Sequence, residues 1–131
     1  FAAGETERTI KHLREYSERR LLGEHVPYPV EAFPEGNQRH LSAESTLYCR
    51  AITEGLFGIR PTGLNSFSFS PKMPEGWDKM ALRNIRSSGK NYDIEVKRIE
   101  DSLFIKVFSD DQIFLESLMT NGEKVDLKMI N

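Results

Sequence analysis

Cysteine is almost absent from this chain, which has one, Cys49, among 131 residues. An internal disulfide is therefore excluded, and the helical pattern around Cys49 predicts a small buried hydrophobic residue. Positive charge is not in excess either, because 18 Lys and Arg residues stand against 20 Asp and Glu residues, a net charge of −2. With no basic face in the sequence, we do not expect a nucleic-acid partner.

Long apolar runs are also missing, so no membrane insertion is expected. The sequence has no P-loop, no GxGxxG motif, no nucleophile elbow and no His, Asp and Glu spacing typical of a metal site, so we expect neither metal nor cofactor. Its first residues lack an initiator methionine and a signal-peptide pattern. The expectation is therefore a fragment of a longer polypeptide.

Two helices are predicted in the first half of the chain. Residues 5–22 place Ile10, Leu13 and Leu21 on one amphipathic stripe, with charges on the opposite face. A proline-rich loop, 24–42, follows and ends at Ser42, the expected N-cap of a second helix over 42–55. That helix has an apolar arc too broad for one neighbour, which also favours further helices outside this sequence.

The second half changes to the period-two alternation of strands. Strands are predicted over 66–70, 92–97 and 125–129, with shorter ones at 103–108 and 113–118. Hairpin turns are predicted at 88–89, 100–101, 110–111 and, most strongly, at the Asn-Gly pair 121–122. The predicted fold is α+β: a helical pair and then an antiparallel meander of five or six strands with one buried face.

The most polar segment, 34–44, joins the loop to the second helix. It combines Glu35, Asn37, Arg39, His40 and Glu44 beside a helix N-terminus, where unpaired backbone N–H groups suit polar and anionic ligands. We interpret it as one wall of a carbohydrate site. A structural role for Glu35, an ion pair between Arg39 and Glu44, and a first-turn role for Glu44 remain open alternatives.

Two motifs follow this loop. They are Gly55-Leu56-Phe57-Gly58-Ile59-Arg60 and, after a strand, Pro71-Lys72-Met73-Pro74-Glu75-Gly76-Trp77. Together with the segment from Glu35 to Ser42, they resemble the C-terminal part of six-hairpin (α/α)6-barrel glycosidases. The Glu-Gly and His-Leu-Ser portions are similar to the kojibiose and maltose phosphorylases, and Glu35-Gly36-Asn37 is similar to the Asp-Gly-Asn of inverting α-L-fucosidases.

The resemblance implies a domain organisation. Residues 1–60 would be the last helical hairpin of the barrel, with the site loop 24–42, and residues 61–131 a C-terminal antiparallel β-sandwich domain. Trp77 would be an anchor at the domain junction rather than a platform for sugar. Export to the periplasm would fit the habit of the family, although the sequence itself leaves the compartment open.

The resemblance also implies site roles. Glycoside hydrolysis needs two carboxyl groups on opposite sides of the scissile bond. Glu35 is the candidate base-side catalytic residue, acting directly or through Asn37, and the general acid would lie in the remainder of the parent polypeptide. The expected substrate-binding residues are Glu31, Arg39, His40, Ser42 and Glu44.

The expected function is therefore part of a glycoside hydrolase acting on an oligo- or polysaccharide, inactive as this segment alone. In the phosphorylase family, positions matching His40 and Ser42 hold phosphate, so a phosphorylase fragment is an alternative, but Glu35 and Glu44 would repel phosphate. A second alternative is a non-catalytic carbohydrate-binding or interaction β-module. The identity of the sugar, and whether the reaction inverts or retains the configuration at the anomeric carbon, depend on residues outside the sequence.

Overall fold

The structure is a computed structural model that describes residues 1–20, 43–87, 89–110 and 112–128, without the side chains of residues 19, 20 and 43–45. The chain divides into two compact units, Phe1–Ile52 and Thr53–Asn131. The described residues form two helices and two antiparallel sheets, which confirms the α+β class.

The first unit contains helix α1, Thr6–Arg20, and helix α2, Ala43–Arg50. The prediction of a helix over 5–22 is confirmed as far as residue 20. The helices contact each other through Tyr16 and Tyr48, whose rings stack with centroids 5.8 Å apart. The Ser17 hydroxyl lies 2.8 Å from the Tyr48 hydroxyl at the same contact. A polar pair therefore fixes the register of an otherwise apolar helix contact.

Helix α2 continues as a π-helical segment, Ala51–Leu56, so the predicted helix over 42–55 is confirmed from residue 43 onward. One expectation for it is wrong, because Cys49 is exposed rather than buried. The described residues leave part of the broad apolar arc uncovered, since Leu47 is 56% exposed. The reason is geometric: within the described part of this unit only one stripe of α2 meets α1.

The second unit contains seven strands in its described residues. They are β1 Arg60–Gly63, β2 Ser66–Phe69, β3 Lys79–Ser87, β4 Lys90–Ile99, β5 Ser102–Ser109, β6 Gln112–Met119 and β7 Val125–Lys128. One sheet has the order β1-β2-β7 and the other the order β3-β4-β5-β6. Every strand pair is antiparallel.

The five predicted strands are confirmed as β2, β4, β5, β6 and β7, but the single meander of five or six strands is wrong. Two strands were not predicted. Strand β1 is four exposed residues without alternation. Strand β3 is interrupted by a bulge between Leu82 and Ile85, where Asn84 has a φ of 59°, and such a bulge breaks the period of two.

The predicted Asn121-Gly122 hairpin is also wrong. The turn joins β6 to β7, which belong to different sheets, so it crosses between sheets instead of pairing neighbours. The predicted turns at 100–101, 88–89 and 110–111 do connect paired strands. Ser88 and Asp111 themselves lie outside the described residues.

The core of the second unit is built from the inward-facing rows of β4 and β5. Ile94, Val96, Ile105 and Val107 are buried there. Phe67 of β2 meets Tyr92 of β4 edge to face, with ring centroids 5.9 Å apart, so both sheets contribute aromatic side chains to one core.

Candidate functional site

Most of the predicted site residues lie outside the part of the chain that the structure describes. These are Glu31, Glu35, Asn37, Arg39, His40 and Ser42. Glu44 belongs to the first turn of α2, but its side chain is not among those described. Their roles in binding and catalysis stay predictions, as do the alternatives of a structural Glu35 and an ion pair between Arg39 and Glu44.

The motifs that follow the loop are described in full, and they meet each other. The Ser70 N–H donates to the Phe57 carbonyl at 3.0 Å, and the Lys72 N–H donates to the Leu56 carbonyl at 2.8 Å. Gly58, the residue after Phe57, is in the left-handed region, with a φ of 65°. The first motif therefore ends the helix and docks directly on the start of the second.

Arg60, the last residue of the first motif, forms an ion pair with Glu54 at the end of the helix. Its Nη1 lies 2.6 Å from Oε2 of Glu54, although the arginine side chain is about half exposed. A partly exposed pair of this kind contributes little free energy but restricts the path of the chain after Gly58.

Asn121 holds the second motif from the side of the β6–β7 connection. Its Oδ1 accepts from the Met73 N–H at 2.8 Å, and its Nδ2 donates to the Met73 carbonyl at 2.9 Å. A single amide thus satisfies both backbone groups of a buried residue, as a neighbouring strand would. This explains why an Asn-Gly pair occurs at a crossover instead of a hairpin.

Arg98 holds the other end of the same segment. Its Nε donates to the Trp77 carbonyl at 3.1 Å, and its Nη2 donates to the Pro74 carbonyl at 3.0 Å. We name the cluster formed by Met73, Pro74, Trp77, Arg98 and Asn121 the junction cluster. The guanidinium of Arg98 and the amide of Asn121 are engaged in these bonds to the main chain, so the chemistry of the cluster suits fixing the chain more than binding a ligand.

The turn beside the junction cluster is closed by a reciprocal pair. The Thr120 N–H and hydroxyl donate to Oε2 of Glu123 at 2.9 and 3.0 Å, and the Glu123 N–H donates to the Thr120 carbonyl at 3.1 Å. The bond from the Thr120 N–H, and after it the bond from its hydroxyl, lower the pKa of Glu123 from its ordinary value of 4.5.

Sequence reasoning missed Arg98 and Asn121, although a signal for Arg98 was available. The alternation of Tyr92, Ile94 and Val96 on the buried face of β4 puts Arg98 at the next inward position, opposite the buried Leu103. A charged group at an inward position needs hydrogen-bond partners. No comparable local signal exists for Asn121, whose partner is 48 residues away.

An open groove of about 570 Å³ lies on the other face of the four-stranded sheet. Side chains from β3, β4 and β5 line it, among them Lys79, Lys97, Phe104 and Lys106. The sequence pattern did not identify this groove, because its residues come together only through strand register.

Within the described ranges, no three His, Cys, Asp or Glu side chains come close enough to hold a metal ion. Neither described helix combines the length and the apolar character needed to cross a bilayer.

Comparison of the chain with protein-family models, with curated proteins and with solved structures finds no match. The described geometry and the sequence motifs are thus the basis for a functional assignment.

Proposed function

We propose that this chain is the C-terminal part of a six-hairpin glycosidase that hydrolyses an oligo- or polysaccharide. In this proposal α1 and α2 are the last outer and inner helices of an (α/α)6 barrel, and the two sheets are the halves of a C-terminal β-sandwich. The remainder of the parent polypeptide supplies the other walls of the sugar site.

The observation that supports the proposal is the meeting of the two motifs on which the resemblance depends. The segment around Gly58 bonds to the segment that starts at Ser70, and the second motif is held by Arg98 and Asn121. Both motifs therefore have a specific structural use at a helix-to-sheet junction, the position they occupy in the six-hairpin enzymes. The uncovered apolar surface at Leu47 of α2 also suits an inner helix with neighbours on several sides.

The proposed chemistry assigns the base side of the reaction to the loop before α2. Glu35 activates water directly or through Asn37, while Glu31, Arg39, His40, Ser42 and Glu44 bind sugar hydroxyls. The acid that protonates the leaving oxygen comes from another inner-helix loop, because two carboxyl groups of one short loop cannot flank a sugar from opposite sides. This segment alone is then inactive.

The test is the substitution Glu35→Gln in the complete polypeptide, assayed on a panel of α-linked aryl glucosides and fucosides. Removal of a general base is expected to lower kcat by about 10²- to 10⁴-fold, with an unchanged thermal midpoint. Glu24→Gln in the same loop is the matched control and should keep full activity.

A kcat for Glu35→Gln close to that of the unsubstituted enzyme would rule out the assignment. Turnover that requires inorganic phosphate and is lost in His40→Gln would instead establish the phosphorylase alternative.

A further inference from the structure

The groove on the four-stranded sheet contains an arrangement of charge that the fold does not need. Lys79 of β3 and Lys97 of β4 are directly opposite each other in the antiparallel register. Like charges at such positions destabilise a sheet. Among the described residues the ammonium group of neither lysine has a salt bridge or a hydrogen bond.

The other cations of the groove are neutralised. Arg83 pairs with Asp93 at 3.3 Å and with Glu95 at 2.7 Å. Lys106 pairs with Glu116 at 2.7 Å. The positive charge without a carboxylate partner is thus concentrated at one end of the groove, at Lys79 and Lys97.

Apolar side chains follow Lys79 and Lys97 in the same row of directly opposite residues across the sheet. Lys97 is opposite Phe104 of β5, and Phe104 is opposite Leu118 of β6. Leu118 is 61% exposed and Ile99, two residues beyond Lys97, is 44% exposed. One short row therefore presents two ammonium groups next to an aromatic ring and exposed aliphatic carbon.

We propose that this groove binds an acidic sugar residue, a uronate within a glycan, at a site separate from the loop that contains Glu35. The carboxylate lies between the ammonium groups of Lys79 and Lys97. The C–H face of the sugar ring packs against the exposed Ile99 and against the part of Phe104 that is left open by the Lys106 ammonium, which lies 5.4 Å from the ring centroid. A volume of about 570 Å³ is within the usual range for ligand sites, roughly 300–1,000 Å³.

The charges favour a sugar acid over larger anions. A net charge of −2 for the chain and the carboxylate of Glu95 in the groove oppose a nucleic acid or an anionic membrane, whose binding draws on many unneutralised cations. A uronate joins one carboxylate and one apolar face in a single rigid ring. It therefore matches the row without the entropy cost of ordering a flexible acidic peptide.

The experiment is an isothermal titration of the full chain with trigalacturonate at low ionic strength, with backbone amide shifts recorded by NMR. The matched ligand is the fully methyl-esterified trisaccharide, which keeps the rings and removes the charges. We expect the acid to bind at least tenfold more tightly than the ester, with shifts in β3, β4 and β5.

The variants Lys79→Gln and Lys97→Gln are each expected to weaken binding about fivefold, as for one partly exposed ion pair. The control Lys128→Gln, an exposed lysine on β7, should bind like the unsubstituted chain. Because Lys79 and Lys97 repel each other, either substitution should leave the thermal midpoint unchanged or raise it, which separates lost binding from lost folding.

Equal affinity for acid and ester, no binding of trigalacturonate at millimolar concentration, or binding unaffected by both lysine variants would overturn the proposal. So would tighter binding of hexaglutamate, of a single-stranded oligonucleotide or of phosphatidylserine vesicles. None of these results depends on the catalytic role of Glu35, so the two proposals fail independently.

Discussion

The backbone of Gly58 lies against the backbone of Ser70 so closely that a Cβ atom at residue 58 would be 2.5 Å from the Ser70 carbonyl oxygen and 2.9 Å from the Ser70 nitrogen. The contacting atoms belong to the main chain, and the Ser70 nitrogen donates to Phe57. They cannot move aside as the end of a flexible side chain could. The helix-to-sheet junction therefore requires glycine at this position.

Gly58→Ala is expected to destabilise the protein by about 2–5 kcal/mol. The left-handed backbone costs a residue with a Cβ about 1–2 kcal/mol, and the contact with Ser70 adds about 1–3 kcal/mol of overpacking. Urea denaturation measures the loss. Gly76→Ala is the matched control, since Gly76 also has a positive φ of 74° but has no atom within 4 Å of the added methyl group. Equal losses for the two variants would mean that the contact with Ser70 has no energetic importance.

Arg98→Ala is expected to lower the free energy of unfolding by about 2–4 kcal/mol. It leaves the Trp77 carbonyl without its donor, which costs about 1–3 kcal/mol when the group stays desolvated. The Pro74 carbonyl keeps the bond from the Trp77 N–H at 3.3 Å, so loss of its bond from Arg98 adds only about 1 kcal/mol. Arg98→Lys should recover only part of the loss, because an ammonium group lacks the planar fork that reaches both carbonyls. Arg86→Ala, at an exposed position on β3, is the control and should change stability by less than about 0.5 kcal/mol. Full stability of Arg98→Ala in thermal unfolding would refute this role.

The fold could be predicted where burial alternates along a regular strand. Strands β4 and β5 have this pattern, because Tyr92, Ile94 and Val96 of β4 and Leu103, Ile105 and Val107 of β5 alternate as buried apolar residues. Strand β3 could not be predicted, since the bulge at Asn84 changes which residues point inward. Which strands share a sheet could not be predicted either. It depends on contacts between distant residues, such as that of Asn121 with Met73, which local propensity does not encode.

The two candidate sites also differ in whether the sequence alone could identify them. The loop with Glu35 and His40 was identified because its polar residues are adjacent in the sequence. The groove was not, because Lys79, Lys97 and Phe104 become neighbours only through the register of three strands. A periodic pattern predicts which face a residue is on, but it does not predict which residue of another strand will be opposite.

Asn121→Asp tests the amide that bridges both backbone groups of Met73. The carboxylate keeps the acceptor for the Met73 N–H but replaces the donor to the Met73 carbonyl with a second negative oxygen. We expect a loss of about 2–3 kcal/mol, because the Met73 carbonyl keeps only the long bond from Arg98 Nη2, at 3.4 Å, and faces a negatively charged oxygen. Gln112→Glu makes the same chemical change at an exposed site and should be nearly neutral. Thermal unfolding at neutral pH compares the two, and similar midpoints would contradict the bridging role.

Glu123 provides a prediction about pH. Its pKa is lowered by the bonds from Thr120, so the folded protein holds the ionised form more readily than the unfolded chain does. The stabilisation is complete above the unfolded pKa of about 4.5 and is lost as the pH falls through the lower folded pKa. Glu123→Gln should therefore be less stable than the unsubstituted protein near neutral pH. The difference in stability between the two proteins should become smaller under acidic conditions. Urea midpoints measured between about pH 7 and pH 3 test this, with Glu100→Gln, at an exposed turn, as the control. A difference that stays constant or widens as the pH falls would show that the ionised carboxylate is not what closes the turn.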